Sequence, residues 1–115
     1  MQSWNLREIE VEGGSRSPLV LYSEENAARG VLIALEPGQE LGDHQVKENA
    51  FVLVVDGRAR VEGPNGDAID AGPGMLFQFE PDEQHAVRTD AGARILLFLA
   101  PWPGAGHYRG DEAAS

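Results

Sequence analysis

The sequence predicts an all-β fold, a single antiparallel β-barrel of jelly-roll type with few or no helices, and three observations carry that prediction. Turn-forming residues recur at roughly 8–12 residue intervals, the rhythm of a sandwich or barrel. They stand at Pro37-Gly38, Asn49, Asp56-Gly57, Pro64-Asn65-Gly66, Gly72-Pro73-Gly74, Pro81-Asp82 and Asp90-Ala91-Gly92. The runs between them are short and either alternate polar with apolar residues or are apolar throughout. No long segment keeps the apolar period of a helix.

In chain order, an edge strand is expected at 8–12, followed by strands at 19–22, 29–35, 43–46, 50–56, 58–62, 67–70, 75–79, 84–88 and 94–100. The polar stretch 23–29 reads as a capped single turn or a loop. Arg58 to Glu62 alternates polar and apolar, as a strand with one wet face does. By contrast 31–35, 51–55 and 95–99 are apolar on both faces. A small barrel has one inside, so their outward side chains need a cover. A homodimer burying one sheet face is the expected cover, and a terminal segment folded over it is the alternative. Residues 1–27 thus form an N-terminal edge strand and loop, 28–100 the barrel, and 101–115 a Pro/Trp-rich segment with a disordered tail from Gly110. Trp102, His107 and Tyr108 in that segment suit a lid over the barrel mouth or a contact with a dimer partner, and Trp4 suits an anchor for the N-terminal strand.

Composition excludes whole classes of function. Nineteen Asp and Glu against nine Lys and Arg give a net charge of −10, which repels a phosphate backbone, so nucleic acid is not an expected partner. No apolar run approaches the roughly 20 residues that span a bilayer, and Met1 to Glu12 lacks the pattern of a secretory signal. A cytoplasmic protein without a membrane partner is expected. With no cysteine, disulfides, thiolate nucleophiles and Cys-ligated metal centres are excluded. The one lysine, Lys47, reads as a solvated loop charge. None of the serines lies in a nucleophile-elbow pattern, and no Gly-rich phosphate loop leads from a strand into a helix.

The chemistry therefore rests on three histidines, His44, His85 and His107. By the period-2 parity of strands, His44, Val46, Ala50, Val52 and Val54 share one face if the turn at Asn49 keeps register, and His85 shares a face with Val87. Two imidazoles can then meet inside the barrel. In this light the sequence resembles a small single-domain cupin over about residues 28–100. The first motif of that family, G-x5-H-x-H-x3/4-E-x6-G, lies gap-free on Gly38, His44, Val46, Ala50 and Gly57. The second, G-x5-P-x-G-x2-H, matches at Gly74 and His85.

The resemblance implies a cupin barrel, and for metal-binding members an Fe, Mn, Ni, Cu or Zn ion held by three ligands of the first motif and one of the second. Here His44 and His85 remain, Val46 replaces the second histidine, Ala50 replaces the glutamate, and the P-x-G of the second motif has become Glu80-Pro81-Asp82. Two imidazoles hold a divalent ion weakly, so no tightly bound metal is expected. Glu48 is a candidate third ligand two residues short of the family position, its alternative being a solvated turn glutamate; His107 is a further candidate. Asp43 and Gln45 alternate with His44 and are expected to face outward.

Three readings of function follow. The first is a small-molecule-binding cupin with a degenerate metal site and a pocket lined by His44, Val46, Ala50, Val52, Phe77, Phe79, His85 and Val87, with Leu97 nearby. The same residues are also what core packing selects. A neutral histidine pair in such a pocket binds a carboxylate or enol or shuttles a proton, which admits a metal-free isomerase, epimerase or cyclase. The second reading is a metal-dependent enzyme of dioxygenase, isomerase or cyclase type using His44, His85 and a third ligand outside the family pattern. The third is a sensing or dimer-interaction module. Glu80, Asp82 and Glu83, if they ring the barrel mouth, favour cationic or neutral ligands over anionic ones; as an ordinary solvated turn they do not.

Overall fold

The structure, a computed structural model, describes residues 1–14 and 17–105, with the backbone alone at Asp43 and His44. Nine strands follow one another: β1 (Leu19–Glu24), β2 (Ala28–Leu35), β3 (Glu40–His44), β4 (Asn49–Gly57), β5 (Ala59–Glu62), β6 (Ala68–Ala71), β7 (Leu76–Phe79), β8 (His85–Arg88) and β9 (Ala93–Ala100). Among the described residues the one helical element is a 3-10 turn at Pro64–Gly66, and no helix is long and apolar enough to cross a membrane.

The strands form two antiparallel sheets, a five-stranded one in the order β1-β2-β9-β4-β7 and a four-stranded one in the order β3-β8-β5-β6. Alternate residues of each strand point between the sheets. Val31, Ile33 and Leu35 of β2, Ala50, Val52 and Val54 of β4, Ala59 and Val61 of β5, Val87 of β8 and Ile95 and Leu99 of β9 make one buried cluster. The intervening Arg60 of β5 and Arg88 of β8 face water, as the alternating pattern predicts. Arg88 pairs there with Glu40 at 3.2 Å and with Glu62 at 3.0 Å. Such exposed pairs orient side chains more than they stabilise.

Turn chemistry closes the barrel where the glycines and asparagines stand. At the end of β4, Gly57 has φ +78°, and a Cβ there would run into the Gly92 carbonyl oxygen and the Ala93 backbone, so no other residue fits. The polar stretch 23–29 is neither helical nor loose. β1 runs on to Glu24, β2 begins at Ala28, and the turn between them places Asn26 at φ +67°.

Two expectations are corrected. The strand predicted at 43–46 lies earlier, at Glu40–His44, so Val46 belongs to the loop that follows it. The edge strand predicted at 8–12 does not form. The Ile9 N–H instead donates to the Asn5 carbonyl at 3.0 Å in a turn, and Gly13 makes an isolated parallel bridge to Ala34. β1 pairs with β2 from Ala28 to Leu32 and leaves the edge beside Ala34 open, and the Gly13 bridge takes that place. The N-terminal segment is fixed further by Arg94 of β9, whose Nη1 donates to the Leu6 and Ile9 carbonyls at 2.8 Å each.

Candidate functional site

One end of the barrel gathers the loop after β3, the turn before β8 and the segment after β9. The turn before β8 is tightly built. The Glu83 N–H donates to the Glu80 carbonyl at 3.0 Å, the Glu80 N–H to Glu83 Oε1 at 2.8 Å, and Asp82 sits at φ +66°. Aspartate tolerates this left-handed conformation better than most residues, which accounts for Asp82 at the position where the family motif has glycine. The turn is tied to the loop after β3 by the Asp82 N–H donating to the Val46 carbonyl at 2.8 Å and by Lys47 Nζ against Asp82 Oδ1 at 2.9 Å. Lys47 is thereby an ion-pairing residue of this junction, where the sequence suggested a solvated loop charge.

This turn delivers His85 to the start of β8, where it is 2% exposed. Its ring stacks on Phe79, with centroids 4.5 Å apart and planes 18° from parallel. Nδ1 lies 3.2 Å from the Glu83 carbonyl oxygen. A carbonyl only accepts, so Nδ1 carries a proton. The backbone of His44 stands directly opposite that of His85. That register depends on an irregularity in β3. Leu41 faces Val87, so regular pairing would set Asp43 opposite His85, and one extra residue brings His44 there instead.

Of the other expected pocket residues, Ala50, Val52, Phe79 and Val87 are buried in the core, with Val46, Phe77 and Leu97 packed against it. Ala50 faces Phe79 and Val52 faces Phe77 across β4 and β7. A cavity of about 200 Å³ opens beside this group, taking Phe77 and Phe79 from the expected set and adding Val61, Ile69, Asp67 and Glu83 with the turn at Gly63 and Pro64. The β5–β6 contribution was not legible in the sequence, because strand parity does not reveal which hairpin of the opposite sheet leans over a given strand. Of the three carboxylates before His85, Glu83 alone lines the cavity; Asp82 is paired with Lys47, and Glu80 is exposed.

Glu48 is not a solvated turn glutamate. It is fully buried, and its Oε2 accepts the Gly104 N–H at 2.7 Å. Gly104 lies so close to the Lys47 carbonyl that an added Cβ would collide with it. The segment after β9 is held at a second point, where the Asn26 N–H donates to the Trp102 carbonyl at 2.7 Å and the Arg29 guanidinium lies 5.1 Å from the Trp102 ring. Trp102 also packs against the core. The chain after β9 therefore packs on the barrel as far as it is described; His107 and the tail lie outside the described residues.

The metal set of the family pattern is not met here. Val46 and Ala50 offer carbon side chains packed on or in the core, one Glu48 oxygen is engaged by Gly104, and among the described residues no group of three His, Asp or Glu is placed to hold an ion.

Two facing antiparallel sheets with this strand order define a double-stranded β-helix. The model of the cupin-domain family matches residues 31–99, and the chain belongs to that family. No curated protein matches. Among solved structures, an RmlC-like cupin protein from Desulfovibrio desulfuricans is 25% identical with a TM-score of 0.76, over 88% of this chain and 97% of that one. An uncharacterized conserved protein with a double-stranded β-helix domain from Klebsiella pneumoniae is 21% identical with a TM-score of 0.74, over 90% and 94%. The cupin domain of Cnp3 from Schizosaccharomyces pombe is 13% identical with a TM-score of 0.69, over 84% of this chain and 66% of that one. The last two share the fold alone.

Proposed function

We propose that the protein binds a small organic molecule at the barrel end that holds His85, with His44 and His85 as the polar groups of the site and no tightly held metal. The observation that carries this reading is the placement of His85. It is a buried imidazole whose Nδ1 proton is held by the Glu83 carbonyl, stacked on a Phe79 ring that itself lines an open cavity. A few convergent polar groups over an apolar wall is the usual make-up of a small-molecule site. The second part of the proposal is a homodimer through the outer face of the five-stranded sheet. Leu19, Leu32, Leu96, Leu53 and Leu76 form one cross-strand row there, one from each strand, of which Leu32 is already buried within the chain and the other four keep exposed surface.

The test is thermal-shift screening of small organic compounds against the full chain, repeated on His44→Ala and His85→Ala. A compound at about a hundred times its dissociation constant adds about 2.7 kcal/mol to stability. The expected result is a hit whose shift is lost in both variants while each still unfolds cooperatively. Equal shifts in wild type and variants overturn the reading.

A further inference from the structure

The cavity beside Phe79 has a lining that specifies charge as well as size. Its apolar walls are Val61, Ile69, Phe77 and Phe79, and its two ionisable groups are Asp67 and Glu83; neither a lysine nor an arginine lines it. Ile69 is 50% exposed, an apolar side chain left at the rim. Of the nearby carboxylates, Asp82 is paired with Lys47, Asp70 with Arg60, and Glu62 with Arg60 and Arg88, while Glu80 points to solvent outside the cavity. Among the described residues no cation pairs with Asp67 or Glu83. Glu83 is also held in place, since its Oε1 accepts the Glu80 N–H at 2.8 Å. Two carboxylates at a cleft that Phe77 and Phe79 also line, in a chain of net charge −10, set up a negative potential that favours a cation.

Resting on the reading of this barrel end as a small-molecule site, we infer that its ligand is an organic ammonium ion: a compact amine whose apolar or aromatic body packs on Phe77 and Phe79 and whose positive charge is met by Glu83 and Asp67. A carboxylate ligand would meet two like charges, and a neutral ligand would leave both without a counter-charge. The size limit follows from the cavity of about 200 Å³, which suits a single ring with a short aminoalkyl arm.

Three probes of one shape separate the charge from the site: benzylamine, benzyl alcohol and benzoate, titrated into isotope-labelled full chain and followed by amide chemical shifts. Benzylamine is expected to move the signals of Ile69, Phe77, Phe79 and Glu83 and to bind roughly tenfold more tightly than benzyl alcohol, with benzoate weakest. Added salt should erode the advantage of the amine and leave the alcohol unchanged. Glu83→Gln keeps a side-chain oxygen for the Glu80 N–H, so the turn is retained; it should bring amine and alcohol within about twofold of each other. Asp67→Asn, at an exposed position, should remove part of the same advantage. Equal binding of amine and alcohol at these residues overturns the ammonium inference and leaves the site standing. Tighter binding of benzoate does the same, whereas no shift at these residues with any of the three overturns both.

Discussion

A carboxylate with no exposed surface survives folding only where a donor offsets its lost hydration, and Glu48 has such a donor in the Gly104 N–H at 2.7 Å. The contact joins residues far apart in sequence, and it fixes the chain after β9 against the loop after β3. Glu48→Ala is expected to lower stability by about 2–3 kcal/mol, and Glu48→Gln, whose side-chain carbonyl still accepts the bond, by about 1 kcal/mol. Urea denaturation measures both; equal losses would mean that packing volume and not the acceptor matters. The Gly104 amide should also exchange with solvent faster in the alanine variant. Little of this was legible beforehand. Glu48 looks like any turn glutamate because its partner is a backbone N–H, which carries no signature in the sequence.

The N-terminal segment shows how one side chain can take the place of a strand. Alternation over Glu8 to Glu12 resembles an edge strand, yet the segment is held by Arg94 reaching the Leu6 and Ile9 carbonyls and by the bridge from Gly13 to Ala34. Removing the guanidinium leaves those two carbonyls to water. Arg94→Ala should therefore accelerate amide exchange across residues 5–14 while costing the whole fold about 1–2 kcal/mol. If exchange in the segment is unchanged, the bridge alone holds it. By contrast the nine strands of the sheets were all expected within a few residues of where they lie, since short runs of β-branched and aromatic residues between strong turn signals leave few alternatives.

At the scale of the whole molecule, the double apolarity of β2, β4 and β9 is resolved unevenly. Inward residues form the core, whereas on the other face Phe51, Leu53, Leu96 and Phe98 stay half-buried and Leu76 is 61% exposed. The N-terminal segment covers part of this face: Ser3 to Arg7 run beside Leu53 and Val55. A second copy is the proposed cover of the remainder, because an apolar sheet face left in water is an association site. Sedimentation should give about twice the 12.4 kDa chain mass. Leu76→Arg, which removes no core contact, should shift the population to monomer with an unchanged melting curve at low protein concentration. A wild-type monomer at micromolar concentration would overturn the dimer.

The sequence by itself determined the fold, because hydrophobic period and turn chemistry are local signals that add up along the chain. It also singled out His44 and His85, whose backbones are paired across β3 and β8, and the residues that stand in place of the other family ligands. Tertiary structure alone decided which groups share the barrel end. The extra residue in β3 sets His44 and not Asp43 opposite His85, the β5–β6 hairpin brings Asp67 to the cavity that Glu83 lines, and Gly104 meets Glu48 out of solvent. Each is a contact between segments distant in the chain, and a one-residue change of register or a single backbone N–H determines it, which no local pattern of side chains encodes.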